Sequence, residues 1–275
     1  MNSNETVYYP QDELTTMLLP VSTGCPYNKC TFCSMYKDEK YGFIPLNEIE
    51  FQLMHGYEYT EKIFLTGADP MSIGFERMTA ILKLVQKHLP YCCRCACYSS
   101  VRSLMKYTDE ELDKLHNLGL RLLYIGFESG DDDILKFINK GNTVSASIET
   151  GKRLNKLHLP FNSIIMYGIG GRGNYENHAV NTAKMLSSFK SRKIITMNLT
   201  VFDATPISKM IEEGKFCEES NEEKLLELKC ILEHLDIEEE TEFDTTHPTN
   251  MIKIKGNLPR ETPRLLRRID ENLNI

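Results

Sequence analysis

The chain has 275 residues, of which 41% are apolar and 26% are charged, a composition that is ordinary for a soluble globular protein. Its length admits one large domain or two small ones. No stretch approaches the ~18 consecutive apolar residues of a spanning helix, and the polar, acidic N-terminus is unlike a signal peptide, so we expect a cytoplasmic protein without membrane contact. The net charge of −7 and the lack of a long basic stripe make a nucleic-acid partner unexpected.

Short apolar runs typical of buried strands alternate with segments in which apolar residues recur every three or four positions. The predicted strands are 16–22, 62–67, 94–99, 121–127, 162–168 and 194–202, and the predicted helices are 45–57, 75–88, 109–118, 132–138, 145–158 and 175–189. This alternation indicates an α/β fold with a parallel sheet covered by helices. Six such units form either a doubly wound sheet or an incomplete barrel, because residues after 202 do not clearly supply the two further units of a full barrel.

The C-terminal part of the chain has a different character. Residues 211–244 contain 14 acidic and 3 basic residues, and their pattern EEKLLELKCILEHL predicts a surface helix with a solvated charged face. The alternation of isoleucine and lysine in 251–256 is typical of a half-exposed strand. The turn HPTN before it brings His247 and Asn250 together, two polar groups that can donate and accept hydrogen bonds.

Three cysteines fall within ten residues in GCPYNKCTFC, at Cys25, Cys30 and Cys33. A reducing compartment favours ligands or catalytic groups over disulfides for cysteines so closely spaced. Structural zinc normally takes four ligands, and no fourth candidate lies nearby in the sequence. Thiolates in short loops also hold [4Fe–4S] clusters, and three of them leave one iron open to another ligand. Both a zinc site and an iron–sulfur cluster therefore stay open from the spacing alone.

The stretch Thr23-Gly24-Cys25, with an aromatic at Phe32 directly before Cys33, resembles the cluster loop of the radical S-adenosylmethionine (radical SAM) superfamily. It is most similar to a short, largely uncharacterised subgroup with a C-x4-C-x2-C loop. The superfamily's usual first interval is one residue shorter. The resemblance extends to three further motifs at predicted strand ends: TGADP (66–70), GFESG (126–130) with a Lys-Gly pair at 140–141, and YGIGG (167–171).

This resemblance implies a set of site residues. It assigns the metal cluster to Cys25, Cys30 and Cys33. It also implies a set of residues for S-adenosylmethionine binding, to which we add residues that lie at neighbouring strand ends. The set is Phe32, Gly67, Ala68, Asp69, Ser99, Glu128, Ser129, Lys140, Tyr167, Gly168 and Val201. A carboxylate such as Glu128 can accept hydrogen bonds from ribose hydroxyls or from an amino group.

The resemblance also implies a fold and a domain organisation. The family fold is an incomplete (β/α)6 TIM-like barrel, which agrees with the six predicted units. We therefore expect an N-terminal extension over 1–15, a radical SAM core over 16–205, and a C-terminal helical and strand extension over 206–275 that caps the barrel. Since the segment after the sixth unit commonly closes the barrel mouth in this family, the resemblance places His247 and Asn250 on the substrate side; a surface turn is the equal alternative.

The implied function is an oxygen-sensitive enzyme that reductively cleaves S-adenosylmethionine at a [4Fe–4S] cluster, giving a 5′-deoxyadenosyl radical that abstracts hydrogen from a small-molecule substrate. A flavodoxin- or ferredoxin-like protein would supply the electron. Alternatives are a relative of the porphyrinogen-oxidising or radical methyltransferase enzymes and, from another class, a non-catalytic iron–sulfur or zinc protein such as an electron carrier.

Several other polar residues invite a functional interpretation. Cys93, Cys95 and Cys97 alternate along one predicted strand, where we favour core packing over a second metal site because free cysteine is among the most buried residue types. His178 lies on a predicted helix and is expected to be a surface or hydrogen-bonded residue. Arg102 follows the third strand and is a candidate for binding an anionic substrate group.

Overall fold

A computed structural model describes residues 8–203 and 205–273; the predicted extension over 1–15 lies partly outside them. The strands are β1 Met17–Pro20, β2 Ser22–Thr23, β3 Gly42–Phe43, β4 Lys62–Thr66, β5 Arg94–Ser99, β6 Leu120–Glu128, β7 Phe161–Tyr167, β8 Lys193–Asn198, β9 Thr241–Asp244 and β10 Lys255–Leu258. The helices are α1 Leu46–Met54, α2 Phe75–His88, α3 Val101–Leu104, α4 Asp109–Asn117, α5 Asp132–Phe137, α6 Val144–Lys156, α7 Tyr175–Leu186, α8 Pro206–Glu212, α9 Asn221–His234 and α10 Thr262–Leu273, with 3-10 turns at Gln11–Glu13 and Pro70–Ile73.

Eight strands form one sheet in the order β1-β4-β5-β6-β7-β8-β9-β10. The strand pairs from β1 to β6 and from β7 to β9 are parallel, and β10 pairs with β9 in the antiparallel sense. The predicted α/β architecture with a mostly parallel sheet is confirmed. Because parallel strands share a direction, the loops that leave their carboxyl ends lie on one edge, where α/β proteins bind ligands.

The chain divides into two compact units. The first comprises the described residues of 1–28 together with 36–125 and 157–160, and the second comprises 29–35, 126–156 and the described residues of 161–275. The core of the first unit contains the edge-to-face rings of Phe64, Tyr98 and Tyr124. In the described part of the chain, no helix is long and apolar enough to span a membrane.

Two expectations for the C-terminal part are wrong. The strand predicted over 251–256 is misplaced: Ile252 and Ile254 are buried and alternate with the exposed Lys253 and Lys255, as predicted, but the two isoleucines lie in an irregular segment. The strand begins only at Lys255. The helix of the acidic run, α9, packs between α7 and α10 and buries Lys224 and Glu227, so its charged face is not simply solvated.

Glu13 anchors the N-terminal segment inside the first unit. Its fully buried carboxylate pairs with the Arg94 guanidinium at 2.6 Å and accepts hydrogen bonds from the hydroxyls of Thr16 at 2.6 Å and Tyr124 at 2.8 Å. A buried carboxylate is tolerated when hydrogen bonds and an opposite charge replace its hydration. The residues before β1 are therefore part of this unit's polar core.

Replacing Glu13 with alanine should lower the free energy of unfolding by about 3 kcal/mol, because the partly buried Arg94 guanidinium and the buried Tyr124 hydroxyl would lose their common partner. The exposed pair between Lys190 and Glu239 provides the control, and Glu239→Ala should change stability by no more than about 0.5 kcal/mol. Urea titrations of both variants measure the difference. Equal effects would contradict the structural role given to Glu13.

Candidate functional site

The first part of the cysteine loop belongs to the first unit and is shaped by its backbone. Gly24 has φ +58, and a Cβ there would lie 2.7–2.8 Å from the backbone of residues 39–41. Only glycine fits this approach. Asn28, with φ 48, directs its amide N–H to Cys25 Sγ at 3.3 Å. The residues before and after Cys25 thus fix the direction of its thiol.

The second part of the loop, residues 29–35, belongs to the second unit. The Thr31 amide donates to the Ile138 carbonyl at 2.9 Å, and the Thr31 carbonyl accepts from the Ile207 amide at 3.1 Å. Phe32 packs against an apolar cluster that includes Ile138 and Ile207. The segment that carries Cys30 and Cys33 is thereby held between the end of α5 and the first turn of α8.

None of the three cysteines forms a disulfide, and all three are partly accessible to solvent. Over residues 8–203 and 205–273, no group of three or more histidine, cysteine or acidic side chains is already arranged around a metal position. Three partly accessible thiols outside disulfides, in an irregular loop, are a donor set that fits an iron–sulfur cluster, since thiolates are the ligands that such clusters take.

A buried ion pair lies at the carboxyl end of β6. The Lys140 ammonium is 2.7 Å from Glu128 Oε1, and both side chains are nearly inaccessible, at 13% and 10%. Burial alone would lower the pKa of Lys140. The Glu128 carboxylate and the nearby thiols of Cys30 and Cys33 raise it by more than burial lowers it, so the pKa of Lys140 lies above its ordinary value. Lys140 therefore remains a cation beside two of the three predicted cluster ligands.

The backbone at this position is strained to hold the pair. Glu128 has φ 66, a conformation that costs a residue with a side chain about 1–3 kcal/mol. Two residues earlier, a Cβ on Gly126 would lie 2.5 Å from Glu128 Oε1 and 3.0 Å from Lys140 Nζ. The glycine leaves the space that the ion pair occupies, and such strain is concentrated at functional sites.

The turn after β4 contains the predicted residues Gly67, Ala68 and Asp69. Gly67 has φ +143, and a Cβ there would meet Ser22 Oγ at 2.3 Å. The Asp69 side chain is buried and accepts hydrogen bonds from the hydroxyls of Ser100 at 2.6 Å and Ser103 at 2.7 Å. Burial raises the pKa of Asp69, against these bonds, which lower it. Its carboxyl group ties this turn to α3 and the residue before it, so the Asp69 side chain is already engaged by protein groups.

The glycine turn after β7, residues 167–173, is held by a hydrogen bond to a buried side chain. Tyr167 is buried, and burial raises the pKa of its phenol to about 12. Gly168, with φ +80, donates its amide N–H to Glu227 Oε2 at 2.7 Å. Glu227 in turn binds His178 Nδ1. Val201, which follows β8, packs on the same apolar cluster as Phe32.

The remaining predicted site residues, Ser129, Ser99 and Arg102, each have a contact with another part of the protein. Ser129 Oγ accepts the Asp131 amide, and Ser99 Oγ donates to the Ser100 carbonyl at 3.3 Å. The Arg102 guanidinium lies 3.5 Å from the ring centre of Tyr27, between the first two cysteines in sequence. This contact supports the cysteine loop, and substrate binding by Arg102 stays a prediction.

The two C-terminal candidates lie in the loop that follows β9. Asn250 is buried, donating to the carbonyls of Thr196 and Thr245 and accepting from the Asn198 amide at 2.7 Å. All these partners are protein groups, so Asn250 fixes the loop against the end of β8. His247 is half-buried beside Thr249, at 2.8 Å, and burial together with Lys253 lowers its pKa.

The structure separates the other cysteines. Cys95 and Cys97 are buried in β5, as core packing predicts, whereas Cys93 precedes the strand and is exposed. The three thiols therefore do not share one buried face. The expectation of a surface position for His178 is wrong, while its alternative, a hydrogen-bonded residue, is confirmed: the side chain is fully buried against Glu227.

The comparisons with known proteins agree with this arrangement. Residues 19–186 match the model of the radical SAM superfamily, which is more than half of the chain. The chain belongs to the radical SAM superfamily. Its members are enzymes, and their cofactors are a [4Fe–4S] cluster and S-adenosylmethionine. A comparison with curated proteins finds no match.

Solved structures of this superfamily share the fold at low sequence identity. The chain is similar to the methyltransferase TsrM from Kitasatospora setae, with a TM-score of 0.57 and 16% identity over 72% of this chain and 37% of TsrM. It is similar to methylornithine synthase PylB, with a TM-score of 0.57 and 14% identity over 93% of this chain and 81% of PylB. It is also similar to coproporphyrinogen III oxidase HemN from Escherichia coli, with a TM-score of 0.59 and 14% identity over 79% of this chain and 50% of HemN. The chain thus spans about a third of TsrM and half of HemN, and the likeness supports the predicted partial-barrel fold.

Sequence reasoning missed the residues that support these turns from later in the chain. Glu227 and Ile207 lie outside the matched region, and no local motif marks them. Within a run of acidic residues, the sequence does not distinguish a glutamate that is buried from one that is exposed to solvent. Only the contact with Gly168 distinguishes Glu227.

The buried carboxyl of Glu219, which lies next to Glu227, predicts a stability that depends on pH. Burial and the charge of Glu227 raise the pKa of Glu219 to about 10. The unfolded chain releases this proton near the ordinary glutamate pKa and the folded chain retains it, so raising the pH from 5 to 9 favours unfolding, by up to about 1.4 kcal/mol per pH unit.

Glu219→Gln should remove this dependence and become more stable than the wild type as the pH rises. Urea unfolding of both proteins at several pH values between 5 and 9 measures it. Parallel stability curves for the two proteins would contradict the neutral, buried state of Glu219.

Proposed function

We propose that this chain is a radical SAM enzyme that reductively cleaves S-adenosylmethionine and uses the product radical to abstract hydrogen from a small molecule. Cys25, Cys30 and Cys33 hold the cluster. The observation that supports this best is the buried, strained Glu128–Lys140 pair beside Cys30 and Cys33. A protein gains little stability from such a pair, because burying two charges costs about as much as their attraction returns. A binding role for the two charges accounts for its presence.

When bound, the cluster supplies one electron to S-adenosylmethionine, which yields methionine and a 5′-deoxyadenosyl radical. The chain's own residues bind and orient the cofactor. Glu128 accepts hydrogen bonds from the ribose or the amino group, and the turn at Gly67 brings backbone close to the methionine part. Lys140 balances negative charge near Cys30 and Cys33, and the turn at Gly168 with Val201 receives the adenine.

The remaining assignments complete this proposal. A flavodoxin- or ferredoxin-like donor supplies the electron, the enzyme works in the cytoplasm without oxygen, and the segment after β9 faces the substrate. That segment is fastened to the carboxyl ends of β7 and β8, because Asn250 binds the Asn198 amide and the Met251 amide donates to the Tyr167 hydroxyl at 3.4 Å. His247 in this loop is the substrate-side candidate.

Alanine at Cys25, Cys30 or Cys33 should abolish both the reconstituted cluster and the formation of 5′-deoxyadenosine under dithionite. The physical reason is that two thiolates are too few to retain a cubane that needs three protein ligands. Iron and sulfide analysis and chromatography of the nucleoside product measure the two effects. Cys95→Ala is the matched control, since its thiol is buried in β5, and it should keep both. Nucleoside formation by Cys30→Ala would contradict the ligand assignment, and bound zinc without iron would support a zinc protein.

Glu128→Gln should weaken S-adenosylmethionine binding by about ten- to a hundredfold, because a lost charge-assisted hydrogen bond is worth about 1.5–3 kcal/mol. Anaerobic calorimetric titration of the reconstituted protein measures the dissociation constant, and the iron content should stay unchanged. Glu271→Gln, which removes the charge from an exposed pair with Arg268, is the control. An unaltered affinity in Glu128→Gln would exclude contact between this carboxylate and the cofactor.

A further inference from the structure

Behind the glycine turn that follows β7 lies a buried polar group formed by three side chains. His178 comes from α7, Glu227 from α9, and Glu219 from the segment before α9. All three are almost inaccessible to solvent, at 0%, 0% and 4%. Burying a charged side chain costs free energy unless the charge is paired and hydrogen-bonded. A functional role for this group would explain why the chain tolerates that cost.

Glu227 connects the group to the turn through both of its oxygens. Oε2 accepts the Gly168 amide N–H at 2.7 Å, while Oε1 binds His178 Nδ1. Because a carboxylate only accepts hydrogen bonds, Nδ1 is the protonated ring nitrogen. The imidazole therefore holds the Glu227 carboxylate in the orientation that points Oε2 at the turn.

Glu219 lies next to Glu227 in this group. Burial and the neighbouring Glu227 raise the pKa of Glu219, which favours the neutral form of its carboxyl at pH 7. Two adjacent carboxyls cannot both ionise cheaply in a buried site. A neutral Glu219 adds no negative charge beside the Glu227 oxygens that accept from the Gly168 amide and bind His178.

The neighbouring segment encloses the rest of the turn. The Arg172 amide donates to the Cys217 carbonyl at 2.9 Å, and the Gly173 amide donates to Glu223 Oε1 at 2.9 Å. A Cβ on Gly171 would lie 2.8 Å from the Phe216 ring. Residues 216–223, outside the family-matched region, thus contact residues 171–173 at the far end of the turn, and only Glu227 of this segment binds Gly168.

We propose that Glu227, oriented by His178, is a positioning residue for S-adenosylmethionine: its carboxylate fixes the Gly168 amide and so holds the turn in the conformation that binds the adenosyl group. This inference rests on the proposed function, in which this turn receives the adenine. It adds that the nucleoside site is completed by α9, through a buried carboxylate that makes no contact with the ligand.

The Gly168 amide can be observed directly, without cofactor or activity. The sequence contains two Tyr-Gly pairs, at 41–42 and 167–168, so carbonyl-labelled tyrosine with nitrogen-labelled glycine leaves only the Gly42 and Gly168 amides in a selective NMR spectrum. In the wild type, the Gly168 proton should resonate far downfield and exchange slowly with solvent, as expected for a buried bond to a carboxylate. A Gly168 amide that exchanges as fast as an exposed glycine would overturn the proposal, even if no variant folds.

Glu227→Gln should move the Gly168 signal upfield and leave Gly42 in place. In the reconstituted protein it should raise the dissociation constant for S-adenosylmethionine by about tenfold, equivalent to about 1.4 kcal/mol, with the iron content unchanged. A variant that alters neither the Gly168 signal nor the affinity would overturn the proposal, as would one that shifts the signal without changing the affinity.

Two matched variants separate positioning from general loosening. Glu219→Gln alters the same buried group at a side chain with no hydrogen bond to the turn, and Glu223→Gln alters a carboxylate bound to Gly173 at the exposed end of the turn. Both should keep the wild-type affinity for S-adenosylmethionine, and an equal loss in all three variants would overturn the specific role of Glu227. A wild-type protein that binds no S-adenosylmethionine would refute the proposed function itself, whereas the Gly168 signal still tests the link to Glu227.

Discussion

The buried ion pair between Glu128 and Lys140 is the interaction on which the candidate site depends. Glu128 ends β6 in a left-handed conformation, Gly126 leaves the space that the pair occupies, and the pair places a cation beside Cys30 and Cys33. Two opposite charges in a low-dielectric environment stabilise each other only when their geometry is fixed. The strain at Glu128 is therefore understandable as the cost of presenting a carboxylate at the carboxyl end of a parallel strand.

The second unit supports its ligand turns with residues from late in the chain. Ile207 in α8 binds the carbonyl of Thr31, Glu227 in α9 binds Gly168, and Asn250 after β9 binds the end of β8. Each contact is a hydrogen bond to a backbone group of an earlier segment, made by a backbone amide from Ile207 and by side chains from Glu227 and Asn250. The C-terminal residues therefore belong to the same packing unit as the turns. Removing them would leave buried amides and carbonyls without partners, at about 1–3 kcal/mol each.

The sequence was a good guide to the fold where periodicity is strong. All six predicted strands and their helices form, because continuous apolar runs are stable only when buried on both faces. It failed in the tail, where Ile252 and Ile254 are both buried without forming a strand, and at Lys224 and Glu227, whose burial depends on packing by α7 and α10. The predicted ligand motifs do follow strand ends, but the partners of Asp69, Gly168 and Asn250 come from distant segments that no local pattern identifies.

Mössbauer spectroscopy of the wild-type protein, reconstituted anaerobically with iron-57 and recorded with and without S-adenosylmethionine, tests the central claim most directly. Three thiolate ligands leave one iron of a [4Fe–4S] cluster open, so a single iron site should change its isomer shift when S-adenosylmethionine binds while the other sites stay as they were. A spectrum that is identical with and without S-adenosylmethionine, or one that shows no four-iron cluster, would contradict the account.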